Sequence, residues 1–163
     1  MKKYLTNMLH PALFVLAITL GLPAFAADTS GTSSMDILRE KTTADKKFLV
    51  ASNMNLTDAE AKEFWPIYKA YQKDLYQINE RLDKVIEDYA TAYNKGALSD
   101  DTAKKLLNEA IAIELAEVKL KQSYIPKLDK ILPATKVARY IQIETKIRAI
   151  IHYILAERIP LVK

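Results

Sequence analysis

The chain has 163 residues, a formal net charge of +4 and no cysteine. Its length suits a single domain, and the absence of cysteine excludes disulfide bonds and thiol chemistry. Without Lys2 and Lys3, which belong to a predicted export signal, 22 basic residues face 20 acidic ones, a net charge of +2. Such a balance is not the signature of a nucleic-acid-binding protein, so we expect no nucleic-acid partner.

The first residues have the pattern of an export signal. Lys2 and Lys3 precede an apolar run over 12–22, and the run ends in the small-x-small site Ala24-Phe25-Ala26. The run is about half of the roughly 20 residues that a membrane-spanning helix needs, so we do not expect stable membrane insertion. We predict cleavage after Ala26.

The predicted organisation is therefore a signal peptide over residues 1–26, a mobile leader over 27–34 and a single all-helical domain over 35–163. A two-lysine signal on a chain without disulfides fits a bacterial periplasm, although full secretion is equally compatible with the residues.

A heptad pattern between Thr57 and Tyr93 predicts one long helix. Apolar residues recur at alternating steps of four and three, as in a helix that packs along its whole length. This seam consists of Phe64, Tyr68, Tyr71, Leu75, Ile78, Leu82, Val85, Tyr89 and Ala92. At 1.5 Å per residue the helix would be about 55 Å long. Because we expect the chain to be too thin to bury the seam alone, we predict a homodimer.

Local signals mark both ends of the long helix. Thr57 and Glu60 form a capping box after Leu56, and Gly96 suits the left-handed residue that follows a helix C-terminus. Pro66 predicts a kink inside the helix. The aromatic residues around Pro66 are expected to pack in the core, with a partly exposed partner patch as the alternative.

Three further helices are predicted. The first covers about 35–51 and ends before Asn53-Met54-Asn55. The third is capped by Ser99 and should be bent or interrupted at Pro126. The fourth begins at Leu132-Pro133 and stops before Pro160. The fold class is all-α, with four helices: a long antiparallel helical hairpin with flanking helices. The third helix is apolar around much of its circumference, so it should contact more than one neighbour. The apolar tail after Pro160 is expected to dock.

Basic residues are concentrated between Glu117 and Arg148. They could be a solvated helix face, or they could form a surface for anionic or unfolded partners. The candidate client or partner surface consists of Lys119, Lys121, Lys127, Lys130, Lys136, Arg139, Lys146 and Arg148.

The mature chain offers little to catalysis. Its one histidine, His152, lies in an apolar band and is expected to be packed or half-exposed, with metal binding as the minor alternative. Two acidic pairs, Asp83 with Glu87 and Glu114 with Glu117, are expected to be solubilising. With no nucleophile motif and no glycine-rich phosphate loop, we predict neither an enzyme nor a cofactor.

The chain combines a predicted cleaved signal with the sequence Leu56-Thr57-x-x-Glu60 at the start of a long helix that turns back at Gly96. A second helix start follows at Leu132, with Gln142 after it. Together these features resemble the Spy/CpxP family, which is marked by a twice-occurring LTxxQ motif. The resemblance covers most of the mature chain. It implies a periplasmic, cradle-like antiparallel dimer that acts as an ATP-independent chaperone or as an inhibitor of an envelope-stress sensor.

Two functions follow as hypotheses. The first is a protein of the envelope stress response that binds unfolded or misassembled envelope proteins on a partly basic, partly apolar surface. The second is a regulator that docks on the periplasmic domain of a sensor kinase or an anti-sigma factor. A metal-responsive role is disfavoured because ligands are few.

Overall fold

The computed structural model describes residues 34–162, and side chains from Ala44 onward. The predicted signal peptide, its cleavage site and the leader up to residue 33 lie outside the described residues. Between residues 34 and 162 the chain forms four helices and no strand, which confirms the all-α prediction. No helix in this part of the chain is long and apolar enough to cross a membrane. The helices are α1 (Ser34–Met54), α2 (Asp58–Asn94), α3 (Asp100–Leu128) and α4 (Ala134–Arg158).

The capping box at the start of α2 is present as predicted. The Thr57 hydroxyl accepts a hydrogen bond from the Glu60 amide at 3.3 Å, and the Glu60 carboxylate accepts one from the Thr57 amide at 2.8 Å. These bonds satisfy backbone donors that a helix start otherwise leaves free. α2 then continues through Pro66 to Asn94 as one element.

α2 ends in a Schellman motif. Gly96 has φ +61°, the Gly96 amide donates to the Tyr93 carbonyl, and the Ala97 amide donates to the Ala92 carbonyl. Ser99 then caps α3 by accepting from the Thr102 amide. The reversal is so short that α3 returns along α2, and the predicted antiparallel hairpin is observed.

Proline affects α3 less than expected. α3 passes through Pro126 and ends at Leu128, so Pro126 does not interrupt it. A proline this close to the C-terminus of a helix removes only one of the last backbone bonds. Pro133 directly precedes the first residue of α4, and α4 ends before Pro160, as predicted.

α4 lies on the hairpin and runs parallel to α2. Tyr140 packs on Phe64 with ring centroids 5.2 Å apart, Glu144 accepts from Gln72 at 2.8 Å, and Arg148 donates to Asn79 at 3.0 Å. The pairs advance together along both helices, which fixes the parallel register.

α1 packs beside α4 in the opposite direction and is longer than predicted. Lys46 contacts Glu144 near the middle of α4, and Lys136 near its start donates to the carbonyl of Asn55. The expected break at Asn53-Met54-Asn55 falls later, because Met54 is fully buried and still helical. α1 ends where Asn55 adopts φ +47°.

The seam of α2 is covered within the chain. Phe64, Tyr68 and Tyr71 are buried, and the later seam positions are half-buried. α3 supplies Tyr124 and α4 supplies Tyr140 to the same core, in edge-to-face contact with the α2 rings. Core packing of the aromatic cluster is therefore confirmed. The seam does not require a second chain, so our expectation that one chain could not cover it was wrong.

The apolar tail docks only in part. The Tyr89 hydroxyl donates to the Pro160 carbonyl at 2.8 Å, and Ile159 is half-buried. Leu161 is 89% exposed and Val162 is 61% exposed, so these two side chains do not dock on the described part of their own chain. Only the backbone before them is tethered.

Candidate binding surface

The eight predicted basic residues differ in exposure. Lys119, Lys127, Lys130, Arg139 and Lys146 are exposed, whereas Lys121, Lys136 and Arg148 are half-buried. Two of the half-buried cations, Lys136 and Arg148, have partners inside the fold. Lys127 also lies over the Tyr124 ring, with its amine 3.8 Å from the centroid.

Arg148 joins α4 to the hairpin. Its Nε donates to Glu117 at 2.8 Å, and a terminal nitrogen donates to Asn79 at 3.0 Å. Burial lowers the pKa of the Arg148 guanidinium, because desolvation disfavours the charged form. The prediction that Glu117 is a solubilising acid was wrong, since Glu117 is only 6% exposed, and Arg148 of the candidate surface is half-buried.

A second buried carboxylate, Glu144, joins three helices. Lys46 of α1 forms an ion pair with it at 2.8 Å, and the Gln72 amide of α2 donates to it at 2.8 Å. The same Lys46 donates to the Gln72 carbonyl oxygen. Burial and the negative charge of Glu144 raise the pKa of Tyr140, so its hydroxyl stays protonated.

Lys136 ties the start of α4 to the start of α2. Its amine donates to Glu60 at 2.5 Å and to the Asn55 carbonyl at 3.0 Å. The hydrogen bond from Lys136 and that from the Thr57 amide lower the pKa of Glu60. Lys136 is therefore engaged within the fold and is not free to bind a partner.

The residues of the LTxxQ resemblance divide into two groups. Thr57 and Glu60 cap α2, Leu132 is buried in the core and Leu56 is half-buried against it. Thr57 and Gln142 are exposed, and of these two only Thr57 caps a helix. Four of the five are accordingly engaged in capping or packing.

These internal pairs orient α4 and leave one side of it exposed. We call this side the α4 face; it consists of Arg139, Gln142, Lys146, Ile150 and Tyr153. Ile150 is 56% exposed and Tyr153 is 71% exposed. No hydrogen bond or ion pair joins any of the five to another described residue. The face thus combines two available cations with two large apolar side chains.

The α4 face continues into an open groove beside the end of α1. The groove has a volume of about 330 Å³ and contains no carboxylate. Ser52, Asn53 and Asn55 line its α1 side, and Arg139, Gln142, Ile143 and Lys146 line its α4 side. Polar groups without an acid favour a partner that carries negative or hydrogen-bonding groups.

A second exposed surface lies on α3, and at its N-terminal end Lys104 and Asn108 also line an open groove that α3 forms with α2. We call it the outer seam, and its positions recur at steps of four and three: Lys104, Asn108, Ile111, Leu115, Val118, Gln122, Ile125 and Asp129. Its four apolar members are between 36% and 57% exposed, and Leu107 beside it is 62% exposed. α3 contacts both α2 and α4, as predicted, but neither covers this seam.

The described residues contain no group of three or more His, Cys, Asp or Glu side chains arranged to hold a metal ion. His152 is exposed, and partial burial together with the nearby Arg148 lowers the pKa of its imidazole. A second open groove near Arg81 is lined mostly by charged side chains, including the exposed ion pair of Arg81 with Glu109.

Sequence reasoning missed Ile150, Tyr153 and the outer seam. Neither Ile150 nor Tyr153 is among the predicted partner residues, which are all basic. The sequence does contain a signal for the α4 face. Tyr153 follows Lys146 by seven residues and Arg139 precedes Lys146 by seven, a spacing that places all three on one side of a helix. The outer seam carries its own heptad spacing, which the all-round apolar character of α3 obscured.

Comparison with known proteins finds no matching family model, no similar curated protein and no similar solved structure.

Proposed function

We propose that this protein is a periplasmic, ATP-independent binding protein of the chaperone type, which shields unfolded or misassembled envelope proteins on its α4 face. The homodimer expected from the sequence is part of this proposal. The observation that carries the proposal is the mixed character of the α4 face, where Arg139 and Lys146 lie on the same exposed side as Ile150 and Tyr153.

Such a mixture suits a client that has not folded. An unfolded chain presents apolar side chains together with acidic groups and free backbone carbonyls. Large exposed apolar side chains mark interaction sites on soluble proteins, and cations beside them attract acidic segments from solution. Many weak contacts of this kind bind diverse partners without selecting one sequence.

The support beneath the face is rigid. Tyr140 and Val137 of α4 are buried, and the ion pairs at Glu144 and Arg148 hold the helix against the hairpin. A surface on a fixed helix loses little entropy when a client binds. Binding by such a surface needs no nucleotide, which agrees with the ATP-independent action that the family resemblance implies.

The test is an aggregation assay with the protein purified after expression together with its predicted signal peptide. A chemically unfolded client is diluted into buffer with a molar excess of the protein, and light scattering follows its aggregation. We expect the protein to slow aggregation. The double variant Ile150→Ser/Tyr153→Ser should lose most of this effect, because it removes both large apolar side chains of the face.

Two controls isolate the face. Leu161→Ser/Val162→Ser removes exposed apolar side chains elsewhere and should act like the native chain. Arg139→Glu/Lys146→Glu should slow binding of acidic clients most, whereas Lys69→Glu on the exposed side of α2 should not. Aggregation that proceeds unchanged in the presence of excess native protein would overturn the proposal.

A further inference from the structure

The outer seam of α3 is built like one half of a helix pair. Its positions follow the four-three spacing over the 26 residues from Lys104 to Asp129, the C-cap of α3, a length of about 38 Å. Every one of the eight positions is exposed. The centre of the seam is apolar and its two ends are charged, the arrangement of a coiled-coil seam of limited length.

The charges at the two ends of the outer seam are complementary between two antiparallel copies of the chain. When two copies of α3 lie antiparallel about a two-fold axis between residues 116 and 117, Lys104 of one copy faces Asp129 of the other, and each such contact occurs twice. In the same register Leu115 meets Val118 at the centre. Ile111 meets Gln122, and Ile125 meets Asn108.

A second charge pair selects the same register. Glu114 and Lys121 lie on one flank of the seam, one heptad apart, and an antiparallel pair brings equal flanks together. Glu114 is exposed and Lys121 half-buried. No hydrogen bond or ion pair joins either to another described residue, and within the chain both charges act on His152 of α4. A shift of one heptad either way sets Glu114 against Glu114 or Lys121 against Lys121.

A parallel pair fits less well. It could join Glu114 to Lys119, but it sets Lys104 against Lys104 and Asp129 against Asp129 within the seam. Like charges held opposite each other disfavour an interface. The charges therefore favour the antiparallel arrangement.

We propose that the outer seam is the interface between two copies of this chain, packed antiparallel so that Glu114 of each copy pairs with Lys121 of the other. This inference rests on the homodimer of the proposed function and assigns its surface to α3, leaving the α4 face free. One helix per copy buries less than the roughly 800 Å² per partner of a standard interface. The dimer should therefore dissociate in the micromolar range.

Sedimentation equilibrium across the micromolar range tests the interface. Glu114→Lys and Lys121→Glu should each weaken dimerisation about tenfold or more, because each replaces two attractions by two repulsions. The double variant Glu114→Lys/Lys121→Glu restores both pairs and should dimerise within about threefold of the native chain. Lys69→Glu on α2 is the matched control, and circular dichroism verifies that each variant is folded.

The absence of native cysteine allows a direct test of orientation. A mixture of Ile111→Cys and Gln122→Cys chains should form a disulfide-linked dimer on oxidation, while neither variant alone should do so, because like positions lie 11 residues apart, about 16 Å along the helix. Self-linked Ile111→Cys would indicate a parallel pair and overturn the proposal.

The outcomes separate this inference from the proposed function. A native chain that stays monomeric throughout the micromolar range, or a double charge reversal that fails to restore the dimer, overturns the α3 interface. A dimer with these properties that leaves client aggregation unchanged contradicts the chaperone-type function alone.

Discussion

At the scale of single residues, the informative pair is Glu117 with Arg148, a largely buried charge pair between α3 and α4. Glu117→Leu would leave the Arg148 charge without its partner, so we expect the free energy of unfolding to fall by about 3–5 kcal/mol. The double variant Glu117→Leu/Arg148→Met leaves no unpaired charge and should return to within about 1 kcal/mol of the native chain. Urea unfolding followed by circular dichroism measures both.

The exposed ion pair of Arg81 with Glu109 is the matched control. Both side chains are more than 40% exposed, and Glu109→Leu should change the free energy of unfolding by less than about 1 kcal/mol. If the double variant at positions 117 and 148 were as unstable as Glu117→Leu alone, pairing would not be what these residues contribute.

Residue burial could be predicted from the sequence for the aromatic residues and not for the acids. Phe64, Tyr68 and Tyr71 lie on one face of a long helix, and a face with large apolar side chains is usually buried. Glu117 and Glu144 also lie on buried helix faces, but the fold can accommodate a buried acid only if a cation forms an ion pair with it. That cation comes from a distant helix, so spacing alone cannot reveal it.

At the scale of elements, helix ends were predicted best, because their signals act through bonds between neighbours in the chain. The capping box at Thr57, the cap at Ser99 and the left-handed Gly96 are all present. The side of a helix that is covered depends instead on how other elements pack. The outer seam of α3 and the α4 face were missed for this reason.

Gly96 offers a clean test of the reversal between α2 and α3. A Cβ added at this position meets no atom within 4 Å, and its φ is +61°. The cost of Gly96→Ala is therefore conformational, and we expect the free energy of unfolding to fall by about 1 kcal/mol. Gly96→Asn should cost less, because asparagine tolerates the left-handed region better.

Urea unfolding of both variants provides the comparison, with circular dichroism of the folded state to verify an unchanged helix content. Equal stability of Gly96→Ala and the native chain would show that the reversal relaxes out of the left-handed conformation at no cost. That result would contradict the Schellman motif as the determinant of the hairpin.

At the scale of the whole molecule, the hairpin followed from the sequence, but the placement of α1 and α4 did not. Because the connection between α2 and α3 is short, these two helices lie antiparallel to each other. α4 runs parallel to α2 because Tyr140 packs on Phe64 and Glu144 reaches Gln72. Each contact joins residues about 70 positions apart in the chain, a pairing that local patterns do not encode.

The shared core predicts how stability depends on alkaline pH. Tyr68, Tyr71, Tyr124 and Tyr140 come from three helices, and burial raises the pKa of each hydroxyl, that of Tyr124 to about 12. In an unfolded chain tyrosine ionises near pH 10. Between about pH 10 and 12 the unfolded chain therefore loses protons that the folded chain retains.

The free energy of unfolding should consequently fall as the pH rises above about 10, whereas below that pH the tyrosine contribution is complete and constant. Each tyrosine that stays protonated in the folded chain adds up to about 1.4 kcal/mol per pH unit to this fall. Urea unfolding at a series of alkaline pH values measures it.

Lysine deprotonation in the same range also weakens ion pairs, so ultraviolet absorbance of tyrosinate is the control that isolates the tyrosines. The four core hydroxyls should ionise together with unfolding, because one core buries them all. Ionisation of every tyrosine in one step near pH 10, with the helices intact, would mean that the α2, α3 and α4 rings do not share a closed core.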